Sequence, residues 1–398
     1  MSILKYLIYC LLLFYPFLEL ARFNLYKNIT FTLNDFLVAL AFIVYIILII
    51  TKKHTFKGKL SKSIILFAIA CLTSFLVNIF NYEAEALVVS FIYLIRWIIY
   101  ANLYFITVSL DKNSKLKVKK LMLYAGSIIV GIGFMQYFYY PSLKNLYYKG
   151  WDEHLYRMFS SFFDPNFAGC FFTLFSIFTL GFLIPFNKLK HKFLLFILFF
   201  LSVLAVYLTY SRSAILALIT SIIVFLILIK KTKYVIVVFL IFIIMLFLSP
   251  RAFKTEGTNI LRITSSTERL KNSTAAVEIF AKNPIFGVGF NAYRYSQYKY
   301  GYLRGPQWEI THSGSGADNS FLFILATTGV IGFISYIILI RTILINAINY
   351  SSKKNKYLHV TVICSLFALI ISGFFINSLF YYPLLLWFWI LLGITENT

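Results

Sequence analysis

The residues of this chain whose types could do chemistry gather at a few places. Arg212 stands in Ser211-Arg212-Ser213-Ala214-Ile215-Leu216, at the head of an apolar block. Arg269 lies in a polar stretch ahead of Pro284-Ile285-Phe286-Gly287-Val288-Gly289. Arg157 precedes Phe163-Asp164-Pro165-Asn166, and His312 and Asp318 fall in Thr311-His312-Ser313-Gly314-Ser315-Gly316-Ala317-Asp318-Asn319. A guanidinium presents a planar fork of donors that grips phosphate or carboxylate bidentately. A histidine titrates near neutrality and suits base work, as does a carboxylate within reach of a hydroxyl. Each has a plainer reading. Arg212 can snorkel to an interface, Arg269 can lie on a solvated helix face, and His312 can be merely solvated. Asp318 can cap a helix with Asn319, and Asp164 or Asn166 can cap the next span. Arg251 and Arg262 read as a span terminus and a surface charge. No Asp-x-Asp occurs, and Asp152-Glu153 with Asp164 is the one acidic group resembling a metal site, so neither metal nor cofactor is expected.

The elements that must position these groups are membrane helices. Sixty per cent of the residues are hydrophobic and only 13% charged, which excludes a soluble domain. Long apolar blocks must be helices, because hydrocarbon cannot satisfy an open backbone. About twelve spans are expected, at 3–20, 32–50, 63–80, 86–109, 121–140, 166–185, 193–209, 212–229, 234–250, 320–345, 360–377 and 379–394. The first block has no small-x-small cleavage site and reads as a span rather than a signal peptide. Cys10, Cys71, Cys170 and Cys364 all fall in apolar blocks, so no disulfide is expected. The net charge of +23 sorts by side: 21 of the 37 basic residues fall in alternate short loops or at the span ends beside them, with only Asp111 and Glu396 against them. The positive-inside rule then puts both termini in the cytoplasm and the 250–319 loop outside. Nucleic acid is excluded as a partner, because these lysines are topology signals without interleaved aromatics.

The whole chain, 1–398, reads as one integral membrane domain carrying that long loop, and the loop is expected to be partly helical. Ser265 and Glu268 match a capping box, Leu270, Thr274, Val277 and Ala281 recur on one face, and Asn283-Pro284 ends the helix. Gly287 and Gly289 bracket a turn, and Gly329 and Gly332 permit close helix packing. The tyrosines at 293, 295, 298, 300 and 302, with Trp308, suit an interface or a sugar surface. Arg96, within the fourth span, is expected to meet a carboxylate such as Glu19 or to line a lipid-facing cavity.

Taken together the motifs resemble the O-antigen ligase and O-antigen polymerase family of bacterial membrane proteins, best over 157–345. Arg212 to Leu216 supplies an Arg-x-x-x-Leu motif, and Arg269 precedes a Pro-x-x-Gly-x-Gly turn. Asp318-Asn319, nine residues and Gly329-Val330-Ile331-Gly332 match a third motif, with aspartate where the family commonly has histidine. The resemblance implies an all-α polytopic membrane protein of glycosyltransferase C-like architecture in the cytoplasmic membrane. It implies a polymerase of O-antigen or capsule that transfers a glycan from undecaprenyl diphosphate onto another lipid-linked repeat unit. The alternatives are a ligase handing the polymer to a lipid or protein acceptor, and a transporter or flippase of lipid-linked sugars. In the resemblance Arg212, Arg269 and Arg157 bind the diphosphate, and Asp318 or His312 is the catalytic base. The implied partners are lipid-linked donor and acceptor, the bilayer, and a chain-length regulator and flippase of the same pathway.

Overall fold

The computed structural model describes residues 2–26, 29–52, 58–185, 189–248, 255–259, 264–304, 308, 316–350 and 356–396. Its helices are α1 (Ser2–Phe14), α2 (Leu33–Ile50), α3 (Ser61–Val77), α4 (Ala84–Val108), α5 (Lys112–Tyr139), α6 (Pro165–Leu183) and α7 (Leu189–Leu208). They continue with α8 (Arg212–Leu228), α9 (Val235–Leu248), α10 (Thr264–Lys282), α11 (Tyr293–Lys299), α12 (Ser320–Tyr350), α13 (Lys356–Gly373) and α14 (Tyr382–Thr395). The chain is an all-α polytopic membrane protein. Among the described residues eight helical segments are long and apolar enough to cross a membrane, including Ile3–Ala21, Pro165–Leu183 and Ser320–Asn349. A helix stands at each of the other expected spans, α9 being described only as far as Leu248, but α3 and α8 have 17 residues and α14 has 14. At about 1.5 Å per residue these fall short of a hydrocarbon core about 30 Å thick. Lipid-facing apolar surface is plain on α7, where Phe193, Phe196 and Phe200 are exposed.

One small sheet departs from the all-helical expectation. Arg22–Tyr26 and Ile29–Thr32 pair antiparallel as β1 and β2, a stretch in which apolar and polar residues alternate at the strand period of two. Thr32 closes β2 and opens α2 through a capping box with Asp35, whose Oδ2 accepts from the Thr32 amide at 2.8 Å.

The chain divides into two compact units. The first holds residues 1–118, 264–346 and 373–397, and the second 119–263 and 347–372. In the first, Gly393 of α14 lies against Thr107 of α4 so closely that a Cβ would overlap the threonine side chain. Arg96 does meet a carboxylate, but it is Asp35 rather than Glu19: Nε donates to Oδ1 at 2.7 Å and Nη2 to Oδ2 at 2.6 Å, and the guanidinium lies 4.2 Å over the Tyr382 ring. Glu19 is taken instead by Arg22 at 3.2 Å and Tyr382 at 2.8 Å. A buried pair like this adds little net stability but is costly to break from one side.

In the second unit, glycines bring α6 against its neighbours. Gly169 lies on Ala214 and Thr209, and Gly181 on Thr361, the small-residue contact that lets membrane helices approach. Ile177, Phe225, Val360 and Cys364 form a buried cluster beside them. The four cysteines are free.

Candidate functional site

Two glycine motifs of the sequence form one backbone joint in the first unit. The apolar run of α12 is broken at Gly329, which adopts φ +64°. The Pro284–Gly289 turn fills the break: Val288 N donates to Ala326 O at 3.0 Å, Gly289 N to Thr327 O at 3.0 Å, and Val330 N to Pro284 O at 2.9 Å. Thr327 O, a carbonyl beside the break, also accepts from Ser74 Oγ at 2.7 Å, and Asn78 Nδ2 holds Gly287 O at 3.0 Å. Buried backbone groups released from a helix must find such partners. A Cβ on Gly329 would overlap the Ile285 carbonyl, and one on Gly287 would overlap the Thr327–Thr328 peptide. Gly329 is thus more than a packing residue, because it breaks the helix. Gly329→Ala should cost roughly 2–5 kcal/mol, the sum of left-handed strain and overlap. Thermal unfolding of the purified protein would show it, and unchanged stability would contradict the joint.

The joint fixes α10 beside the start of α12. Asn319 caps α12, its Oδ1 accepting from Phe321 N at 2.9 Å and Leu322 N at 3.1 Å. The capping explanation therefore attaches to Asn319, while the half-buried Asp318 accepts from Asn272 Nδ2 of α10 at 2.7 Å. Tyr293, fully buried, donates to Asn272 O at 3.4 Å. Burial first, and the Asp318 carboxylate second, hold the Tyr293 phenol well above its usual range. Arg269, half-buried, sits three residues before Asn272 and so shares its side of α10.

The buried side of α10 is not the one expected. Leu270 and Val277 are 68% and 49% exposed, while Ala275, Ala276 and Ile279 are buried. The helix also starts at Thr264, so Ser265 falls inside it. Asn283-Pro284 ends it as expected. Of the aromatic run, Tyr298 stacks on Trp308 at 4.2 Å, whereas Tyr293 belongs to the core. His312, Arg251 and Arg262 lie outside the described residues.

The second unit brings Arg157, Asp164, Asn166, Ser211 and Arg212 together. The segment after α5 is plugged onto that helix by Gln136, whose Oε1 accepts from Phe159 N at 2.8 Å and Ser160 N at 3.1 Å. Such anchoring sustains left-handed backbone at His154, Tyr156, Ser160 and Phe163, with Tyr210 alongside: five of the nine non-glycine residues of positive φ among those described. Such residues cost about 1–3 kcal/mol each and persist only where the surrounding structure holds them. Asp164 caps α6, as anticipated, through Asn166 N at 2.6 Å and Phe167 N at 3.0 Å. Asn166 Oδ1 accepts from Ser211 Oγ at 2.9 Å and Arg157 Nη2 at 3.4 Å. Arg157 is buried, and its Nε donates to Thr209 O at 2.9 Å, so it holds the turn that delivers Arg212.

Arg212 is half-buried in the first turn of α8, whose cap residue Ser211 makes no side-chain capping bond. A guanidinium beside the positive end of a helix favours an anion there. Sequence reasoning passed over His154, whose Nε2 lies 3.8 Å from Asp164 Oδ2. Its signal is faint: a histidine two residues after Asp152 in a polar segment. The Asp152 carboxyl is pushed up by burial and then by Asp164, with Arg157 opposing.

Residues 197–337 match the family model described as O-antigen ligase. No curated protein matches the chain. The matched segment begins inside α7, ends inside α12, and contains Arg212, Arg269, the glycine joint and Asp318; Arg157, Asp164 and His154 lie upstream of it. This match, over less than half of the chain, supports an O-antigen ligase family membrane protein.

Proposed function

We propose that, within the ligase and polymerase chemistry of its family, this enzyme is the polymerase. It transfers a growing glycan from undecaprenyl diphosphate onto the non-reducing end of another lipid-linked repeat unit. Arg212 and Arg269 supply cations for the diphosphate, Arg157 supports the Arg212 turn, and Asp318 orients and deprotonates the acceptor hydroxyl, with His312 as the alternative base. The observation that carries this reading is Asp318 itself. It occupies the position where the family commonly has histidine, and its carboxylate is held by Asn272 of α10 while Asn319 makes the α12 cap. The cationic groups on a helix start need no metal to stabilise a leaving diphosphate, so the transfer is read as metal-independent. In a strain lacking the gene, the polymerase reading expects surface polysaccharide of single repeat units, with the length ladder restored by the gene. Long polymer accumulating unattached on its lipid carrier would instead assign the ligase.

The reaction is assigned to the outer face of the bacterial cytoplasmic membrane, with both termini in the cytoplasm. The lysine asymmetry supports this orientation. In a cysteine-free background, a membrane-impermeant thiol reagent applied to spheroplasts should label a cysteine at the exposed Lys271 and spare one at the exposed Lys112. The reverse pattern would remove the loop from the side where lipid-linked repeat units are polymerised.

A further inference from the structure

Asn272 of α10 meets Asp318 with only half of its side chain. A base must be ionised to act, and an ionised carboxylate only accepts hydrogen bonds, so the amide nitrogen rather than the oxygen has to face it. Nδ2 accordingly donates to Asp318 Oδ2 at 2.7 Å. That contact fixes which way the planar carboxamide is turned. Its other end, Oδ1, takes no hydrogen bond among the described residues, on a residue that stays partly open to solvent.

Both residues stand on firm support within the first unit. The Asn272 carbonyl accepts from the buried Tyr293 phenol at 3.4 Å. One turn further along α10, Ala276 packs in a cluster with Tyr293, Phe323 and Ala317, the residue just before Asp318. A tie between α10 and α12 needs the donor alone. An acceptor oxygen held on the same amide, beside a base whose own position is fixed, is equipped to read a second hydroxyl of a sugar whose first hydroxyl the base engages.

We propose that Asn272 is a specificity-determining contact for the acceptor: its Oδ1 accepts a hydrogen bond from a second hydroxyl of the sugar whose attacking hydroxyl meets Asp318. The inference rests on the glycosyl-transfer reading of Asp318 and deepens it, because the acceptor must then be a polyhydroxyl ring with a free donor beside the reacting position. A sugar that is deoxygenated or acylated at that second position offers no donor and is a poor acceptor.

The test uses the full-length protein in proteoliposomes with a labelled synthetic polyprenyl-diphosphate repeat unit as donor. The acceptors, offered in excess, are the same repeat unit with each hydroxyl of its non-reducing sugar replaced in turn by hydrogen. The analogue lacking the attacking hydroxyl is inert. One other analogue should lower the acceptor kcat/KM of wild type roughly tenfold, the cost of leaving Oδ1 without its donor. In Asn272→Ala, a substitution that suits a helix, the unmodified acceptor should fall by a similar factor and the analogue should then match it to within about twofold. A merely structural tie would not erase this discrimination, since a loosened Asp318 slows every acceptor alike. Wild type indifferent to all of these other analogues overturns the proposal, and so does an Asn272→Ala enzyme that keeps the full penalty. Should Asn272→Ala not fold, Asn272→Ser, whose hydroxyl falls short of the Oδ1 position, is read in the same way. Wild-type protein that does not elongate the unmodified repeat unit refutes the glycosyl-transfer reading, whereas normal elongation with no hydroxyl coupled to Asn272 refutes this assignment alone.

Discussion

Asp318→Asn should reduce polymer growth by about 10²–10⁴-fold, the usual loss on removing a general base, at unchanged protein level in the membrane fraction. The substitution is close to isosteric. The α12 cap stays in place because Asn319 Oδ1 makes it, and the carboxamide oxygen at 318 can still accept from Asn272 Nδ2. What the amide cannot do is take a proton. Structural damage is therefore a poor explanation for any loss, and the length distribution of surface polysaccharide reads the chemistry directly. Near-normal chains in Asp318→Asn, with loss in His312→Ala, would move the base six residues upstream. Normal chains in both would leave the enzyme to work by positioning and leaving-group stabilisation alone.

Arg212→Lys should lose most of the activity, on the order of 10²-fold, comparable to removing one preorganised donor from a site of developing charge. Lysine keeps the charge and loses the fork, so the variant separates bidentate grip from simple attraction. It also separates both from packing, since the long apolar stem at the start of α8 is retained. A fully active Arg212→Ala would return the residue to a snorkelling role at the membrane interface. Membrane abundance and thermal stability should stay near wild type, because the turn before Arg212 is held by Arg157 through Thr209 and by Asn166 through Ser211.

The helices were legible because hydropathy over about twenty residues reports burial in lipid directly. Each expected block carries a helix, yet the lengths of α3, α8 and α14 do not each establish a span. The break at Gly329 was not legible, since Ser320 to Tyr350 is an apolar run in which one glycine looks like packing. Only the mate of that break, the Gly287–Gly289 turn 40 or so residues earlier in a folded chain about 400 long, shows why both motifs carry glycine at these positions. The α10 face was misread for a related reason. Its close seat buries Ala275 and Ala276, which carry little hydropathy, and turns Leu270 and Val277 outward. Asp318 and Asn319 both cap helices well, so only the hydrogen bonds assign the task to one of them. His154 escaped notice because its partner Asp164 is brought round by a loop of left-handed residues that no local pattern announces.

The central claim is that these residues move a glycan off a polyprenyl diphosphate. It is tested most directly by purified protein reconstituted with a synthetic undecaprenyl-diphosphate repeat unit and a chelator of divalent metal. The expected result is a ladder of lengthening lipid-linked glycan with one undecaprenyl diphosphate released per bond formed. Movement of intact donor across the bilayer, with no new glycosidic bond and no diphosphate released, would contradict it.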